Sequence, residues 1–129
     1  MPEGVCMAKK IIMVIAQQGF RDEELLEPKE YFERQGFLVE IVAPQKGVCK
    51  GMLGHVAEAT QSLDTVSLSH ARAFVVVGGV NSPSLMSCPR LGELLAQVIE
   101  KDLVLGAICL APMVVASFDV MDGVHATVY

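Results

Sequence analysis

Four short aliphatic runs, separated by segments with helical periodicity, constrain the fold of this chain more than any other feature. They span residues 9–16, 37–43, 73–77 and 103–108 and are rich in valine, isoleucine and leucine. Such short, nearly continuous apolar runs predict buried strands of a parallel sheet. Helical segments lie between them, and this alternation predicts a doubly wound, mostly parallel α/β sheet.

The segments between the first three runs are less regular. An amphipathic stretch over residues 29–35 is stopped by Gly36, and Pro28 either opens this helix or kinks it. Residues 45–64 have poor periodicity, which predicts a loop or an antiparallel excursion.

The second half of the chain follows the same alternation. Residues 89–101 predict a helix with a buried stripe, and residues 113–118 predict a further helix. Residues 125–129 begin another strand. The apolar positions of the stripe are Leu91, Leu94, Leu95, Val98 and Ile99.

Composition and charge exclude several classes of protein. With 129 residues, of which 52% are hydrophobic, the chain predicts one globular domain over residues 1–129. The net charge of −5 and the lack of a basic cluster argue against a nucleic-acid surface. We expect neither a signal peptide nor a membrane span. The four cysteines form no C-x-x-C pair and no cluster with histidine, so we expect free thiols, no metal and a cytoplasmic location.

Polar and reactive groups follow three of the predicted strands. An acidic turn follows the first strand, Gly78-Gly79 follows the third, and Cys109 follows the fourth. Ligands of open α/β sheets bind at the carboxyl ends of the strands. The sequence therefore predicts a functional site at this edge.

Cys109 lies where a strand gives way to a helix, with Gly106 and Ala111 as small neighbours. This pattern is close to the G-x-S-x-G elbow that presents a nucleophile on a sharp turn. A thiol at the start of a helix faces its positive end, which lowers the thiol pKa. A buried structural cysteine is the alternative interpretation, and the spacing leaves both open.

Three segments together resemble one family. Residues 107–112 read AICLAP, residues 19–28 read GFRDEELLEP, and residues 75–79 read VVVGG. This combination resembles the ThiJ/PfpI superfamily, which has the flavodoxin-like fold of class I glutamine amidotransferases and includes the parkinsonism-associated protein deglycase. The resemblance implies that the last strands and C-terminal helix of that fold are missing from this chain.

The resemblance also assigns roles to individual residues. It implies that Cys109 is the reactive group, contacted by Glu24, and that the N–H groups of Gly79 and Leu110 form an oxyanion hole. A glutamate in an apolar pocket tends to stay protonated, so we expect Glu24 to donate a hydrogen bond to a thiolate. Gly78 and Tyr129 are candidate pocket residues. We interpret Asp22, Glu23 and Glu27 as solvated charges.

Some positions depart from the family pattern. Leu110 stands where the protease-like branch has histidine, which excludes a Cys-His pair of that kind. Val77 stands where relatives usually have proline, whereas Pro112 matches. Tyr129 falls where relatives place a histidine or a tyrosine.

Three functions compete on these observations. The leading hypothesis is a cysteine-dependent glyoxalase or deglycase that acts on small reactive aldehydes or their adducts, needs no cofactor and is related to stress. The alternatives are a cysteine peptidase or amidase of the PfpI type, and a non-enzymatic redox-sensing or stress-protective protein. Because the chain stops at Tyr129 as a strand begins, we also expect a homo-oligomer or a second chain that completes the fold.

Overall fold

The computed structural model describes residues 9–121. The main sheet consists of β1 (Lys10–Val14), β3 (Leu38–Ala43), β6 (Gln61–Ser62), β7 (Ala71–Val76) and β8 (Val104–Ala107). The strand order is β6-β3-β1-β7-β8, and every neighbouring pair is parallel. Strand β3 lies on one side of β1, and the later strand β7 lies on the other side. The topological switch point of this flavodoxin-like order is therefore between β1 and β7.

Helices cover both faces of this sheet. They are α1 (Asp22–Arg34), α2 (Pro89–Glu100) and α3 (Ala111–Ala116), with a 3₁₀ helix over Ser82–Ser87. Ile12 and Val14 of β1 belong to the core cluster that contains α2 and α3, whereas Met13 belongs to the cluster that contains Leu25 of α1. The side chains of successive β1 residues therefore pack into separate cores on opposite faces of the sheet. The predicted doubly wound sheet is confirmed.

Helix α1 differs from its prediction at one end. It begins at Asp22, and Pro28 lies inside it rather than at its start. Proline has no N–H, so Pro28 cannot donate the usual helix hydrogen bond to the Glu24 carbonyl four residues earlier. The other end agrees with the prediction, because Gly36 has φ of +93° and its N–H donates to the Glu33 carbonyl at 3.1 Å.

The poorly periodic segment contributes two strands to a small second sheet. They are β4 (Gly47–Gly51) and β5 (Val56–Ala59), which pair antiparallel, and the third strand of this sheet is β2 (Gln18–Phe20). Of the two predicted alternatives, the antiparallel excursion is therefore correct. Strand β2 was not predicted, because three residues are too few to show a period.

Helix α2 buries four of its five predicted stripe residues, and the prediction for the fifth is wrong. Ile99 is 51% exposed while its neighbour Val98 is fully buried. The four buried residues follow the i, i+3, i+4, i+7 spacing of one helix face, whereas Ile99, at i+8, lies at the edge of that face. Helix α3 begins at Ala111, earlier than residue 113. The predicted strand over residues 125–129, including Tyr129, lies outside the described residues.

Candidate active site

The carboxyl ends of the strands bring Glu24, Gly78 and Cys109 together. Gly78 lies between the two side chains: a Cβ atom built on it would be 2.6 Å from Glu24 Oε1 and 2.9 Å from Cys109 Cβ. A methyl group at this position would occupy the space in which the carboxyl group and the thiol meet. The first helical turn of α1, the end of β7 and the end of β8 thus contribute to one site.

Cys109 occupies a sharp turn between β8 and α3. The Ala111 N–H donates to the Ile108 carbonyl at 2.9 Å and closes the turn. Within it Cys109 has φ of +61°, a value that glycine adopts more readily than any residue with a side chain. Such a conformation costs about 1–3 kcal/mol and persists only where the surrounding structure holds it. This geometry is that of an elbow, and the side chain is half-buried.

The pKa of the Cys109 thiol is raised, contrary to the lowered value predicted from the following helix. Burial is the main cause, and the negative charge of Glu24 beside the sulfur adds to it. The Leu110 N–H and the Arg21 guanidinium favour the thiolate but are outweighed.

Glu24 reaches the site from the first turn of α1. Its Oε1 accepts a hydrogen bond from the Gly78 N–H at 3.0 Å. Besides burial, the Glu24 charge and its hydrogen bond with the sulfur contribute to the raised pKa of the Cys109 thiol. At Cys109 the expected thiolate is thus disfavoured, and the Glu24 carboxyl group lies beside the thiol.

The Gly78-Gly79 turn presents one free amide. The Gly78 N–H is occupied by Glu24, whereas the Gly79 N–H finds no acceptor within residues 9–121. Gly79 is buried and has φ of +125°, and a Cβ built on it would overlap Arg21 N and lie 2.5 Å from the Gly19 oxygen. Only glycine fits here. The Leu110 N–H lies against the Cys109 sulfur.

The backbone N–H of Val77 takes part in the pairing of β7 with β1. The Val77 N–H donates to the Val14 carbonyl at 2.9 Å and extends the pairing of β7 with β1 toward the site. Proline at this position could not make this bond.

The acidic turn contains a residue whose role the sequence analysis missed. Asp22 was interpreted as a solvated charge, but it is only 6% exposed. Its Oδ1 accepts the Leu53 N–H and its Oδ2 accepts the His55 N–H, both at 2.8 Å. Burial opposes ionisation, but these two bonds outweigh it and lower the Asp22 pKa. Asp22 therefore fastens the β4–β5 loop to the start of α1.

Its neighbours in the acidic turn are more exposed. Glu23 forms an ion pair with Arg21, with Nη2 and Oε2 2.7 Å apart, and both side chains are about two-fifths exposed. Glu27 is exposed, in agreement with its interpretation as a solvated charge.

Among residues 9–121, the other thiols and imidazoles lie in other segments of the fold. Burial raises the pKa of Cys49 and of Cys88. His55 and His70 are exposed, and the latter precedes β7, at the end of the sheet opposite Gly78. Within residues 9–121, no group of three or more histidine, cysteine or carboxylate side chains could hold a metal ion. In the same part of the chain no helix is long and apolar enough to span a membrane. Cys6 and His125 lie outside the described residues.

Solved structures with the same fold belong to ThiJ/PfpI and DJ-1 proteins. A ThiJ/PfpI domain protein from Brachyspira murdochii superimposes with a TM-score of 0.88 at 23% identity, covering 95% of this chain and 71% of that chain. Drosophila melanogaster DJ-1beta superimposes with a TM-score of 0.80 at 22% identity, covering 88% of this chain and 62% of that chain. These identities support likeness of fold.

Sequence relatives give the same result. The protein MJ0967 of Methanocaldococcus jannaschii is 41% identical over 121 residues, which are 93% of this chain and 59% of that protein. A Pyrococcus furiosus protein named deglycase PfpI is 25% identical over 118 residues, covering 92% of this chain and 71% of the relative. The chain thus spans less than two thirds of MJ0967. The predicted resemblance is confirmed: the model of the DJ-1/PfpI family matches residues 9–129, and the chain belongs to that family.

Proposed function

We propose that the protein is a cysteine-dependent enzyme of the glyoxalase or deglycase kind, acting on small reactive aldehydes such as methylglyoxal or on their adducts. The observation that carries the proposal is the contact of Glu24 with Cys109 across Gly78, on a strained turn. Two relatives, from Pyrococcus furiosus and Thermococcus kodakarensis, are named deglycases.

The first chemical step is attack of the Cys109 sulfur on the aldehyde carbon. The carbon–sulfur bond forms as the thiol proton passes to the Glu24 carboxylate, and the carbonyl electron pair moves to oxygen. The N–H groups of Gly79 and Leu110 stabilise this oxyanion, at about 2.7–4 kcal/mol for each donor. Glu24 then returns the proton to oxygen, which gives a neutral hemithioacetal.

The product follows from the addition of one water molecule. The hemithioacetal of methylglyoxal becomes a thioester when two protons move: one from the former aldehyde carbon to the neighbouring carbonyl carbon, and one from the new hydroxyl group to the oxygen of that carbonyl. Water then hydrolyses the thioester to lactate and restores the Cys109 thiol. Glu24 is the proton carrier for both steps, with an effect of about 10²–10⁴ on rate.

The raised thiol pKa separates this proposal from the redox-sensor alternative. A thiol that senses oxidants needs a large thiolate fraction at neutral pH. At Cys109 burial and the Glu24 charge reduce that fraction. Catalysis with Glu24 as the base does not need a resting thiolate, because the proton leaves the sulfur during attack.

The peptidase alternative needs a base that can also protonate a leaving amine. Leu110 occupies the position where the protease-like branch has histidine. His70 lies at the opposite end of β7 from Gly78. An aldehyde substrate releases no amine, so Glu24 alone is sufficient for it. We further propose that the enzyme acts in the cytoplasm as an oligomer.

Methylglyoxal turnover, followed as lactate formation, tests the proposal. We expect turnover in the wild type, none in Cys109→Ser, and wild-type turnover in Cys88→Ser, a matched change of a thiol outside the site. Turnover that survives in Cys109→Ser would exclude Cys109 as the nucleophile. A wild-type protein that releases amines from peptidyl amides but leaves methylglyoxal unchanged would favour the hydrolase.

A further inference from the structure

We infer that the backbone N–H of Arg21 is a positioning group that fixes the direction of the Gly79 N–H in the oxyanion hole. The Arg21 N–H donates to the Gly78 carbonyl oxygen at 2.9 Å. The inference rests on the proposed function, because it concerns the oxyanion that forms when Cys109 attacks a carbonyl group.

Peptide geometry connects the two groups. The Gly78 C=O and the Gly79 N–H belong to one peptide unit, and in a trans peptide they point in opposite directions. None of the described peptide bonds is cis. Because the Gly78 oxygen points to Arg21, the Gly79 N–H points away from it. Within residues 9–121 no acceptor takes that N–H, so it can donate to a bound oxyanion.

The neighbouring peptide is held from the same helix. The Gly78 N–H donates to Glu24 Oε1 at 3.0 Å, so the first turn of α1 binds Gly78 on both its N–H and its C=O. If the Gly78–Gly79 peptide were reversed, its oxygen would turn into the site and repel the oxyanion. The Arg21 hydrogen bond opposes this reversal.

The side chain of Arg21 has a separate partner. Its guanidinium pairs with Glu23 at 2.7 Å, and both side chains are partly exposed. The positioning role therefore belongs to the main chain. Any residue with an N–H can perform it at position 21, and proline cannot.

Two substitutions separate the main chain from the side chain. Arg21→Pro removes the N–H and places a ring carbon against the Gly78 oxygen. The φ of Arg21, −81°, lies close to the range of proline, and extended Phe20 suits a residue before proline. Arg21→Ala removes the guanidinium but keeps the N–H, and it is the matched control.

Two rates are measured on each variant: methylglyoxal turnover, which forms an oxyanion, and alkylation of Cys109 by iodoacetamide, which does not. We expect Arg21→Pro to lower kcat by about 10²–10³, the effect of losing one oxyanion donor. Both variants lose the guanidinium that favours the thiolate, so the alkylation rate of Arg21→Pro should match that of Arg21→Ala, and Arg21→Ala should lose far less kcat than Arg21→Pro. Unchanged kcat in Arg21→Pro, equal loss of both rates, or the same kcat loss in Arg21→Ala would overturn the inference.

An NMR measurement on the wild type covers the case in which Arg21→Pro does not fold. We expect slow hydrogen exchange at the Arg21 amide, and a downfield shift of the Gly79 amide proton when glyoxal binds Cys109. Exchange at the rate of a free amide, or no shift in the adduct, would contradict the inference. If wild-type turnover is absent but the Gly79 shift occurs, the proposed function fails and the inference stands.

Discussion

The Gly78 N–H donates a hydrogen bond to Glu24 Oε1 at 3.0 Å, which joins the end of β7 to the first turn of α1. The carboxyl group that faces Cys109 is therefore held by a backbone amide of the strand. This hydrogen bond offsets the rotamer entropy that a flexible glutamate side chain loses when it is held in one position. The family relationship and this contact lead to the following predictions.

Gly78→Ala should abolish the proposed activity by separating Glu24 from Cys109. The new Cβ would lie 2.6 Å from Glu24 Oε1 and 2.6 Å from the Ile108 oxygen, so the carboxyl group must move. We expect loss of methylglyoxal turnover together with a loss of about 1–3 kcal/mol in the free energy of unfolding, as for other overpacked sites.

Gly106→Ala on the neighbouring strand is the control for this change. Its Cβ would lie 3.4 Å from Val75 Cγ2, an ordinary van der Waals contact. We expect nearly wild-type turnover and stability. If Gly78→Ala retained full turnover, the carboxylate would not need its present position.

Asp22 should stabilise the fold in a manner that depends on pH. Its pKa is lowered in the folded protein relative to about 3.9 in the unfolded chain, so its stabilisation is complete above that value. The stabilisation is lost as the pH falls through the folded pKa. We expect Asp22→Asn to lower the free energy of unfolding at pH 7 by about 1.5–3 kcal/mol, the worth of a hydrogen bond to a charged group.

Urea denaturation between pH 7 and pH 2 measures this effect. The difference between wild type and Asp22→Asn should shrink on the acidic side. Glu23→Gln serves as control, because a partly exposed ion pair such as that of Glu23 with Arg21 adds little to stability. A difference that stays constant with pH would show that Asp22 stabilises by shape rather than by charge.

The strained turn at Cys109 should lower the free energy of unfolding of the protein. With φ of +61°, a side chain at this position is strained by about 1–2 kcal/mol, whereas glycine is not. Glycine loses about 0.5–1 kcal/mol through its greater freedom in the unfolded chain. We therefore expect Cys109→Gly to be more stable than Cys109→Ala toward urea, with both variants inactive. The reverse order would mean that the turn is unstrained.

The main features of the fold could be predicted because each depends on local pattern. Runs of apolar residues identify the four longer strands of the main sheet, and Gly36 marks the end of α1. The start of α1 could not be predicted, because a proline within a helix is usually unfavourable and Pro28 suggested a boundary. Strand β2 and the 3₁₀ helix are too short to show a period.

The proximity of the candidate residues was predictable from the sequence, whereas the electrostatics around Cys109 was not. The sequence brought Glu24, Gly79 and Cys109 to one sheet edge through the order of elements. The thiol pKa depends on burial and on the distance between two side chains, neither of which has a sequence pattern. For the same reason Asp22 could not be distinguished from Glu23, because only the path of the β4–β5 loop reveals its two backbone partners.

The pH dependence of Cys109 alkylation, compared between wild type and Glu24→Gln and located by peptide mass spectrometry, is the most direct test of the Glu24–Cys109 pair. Glutamine keeps the size of the side chain and an oxygen for the Gly78 N–H, but removes the charge that raises the thiol pKa. We predict that the alkylation midpoint moves to lower pH in Glu24→Gln. An unchanged or higher midpoint would contradict the account, because the Glu24 charge would then not raise the pKa of the Cys109 thiol.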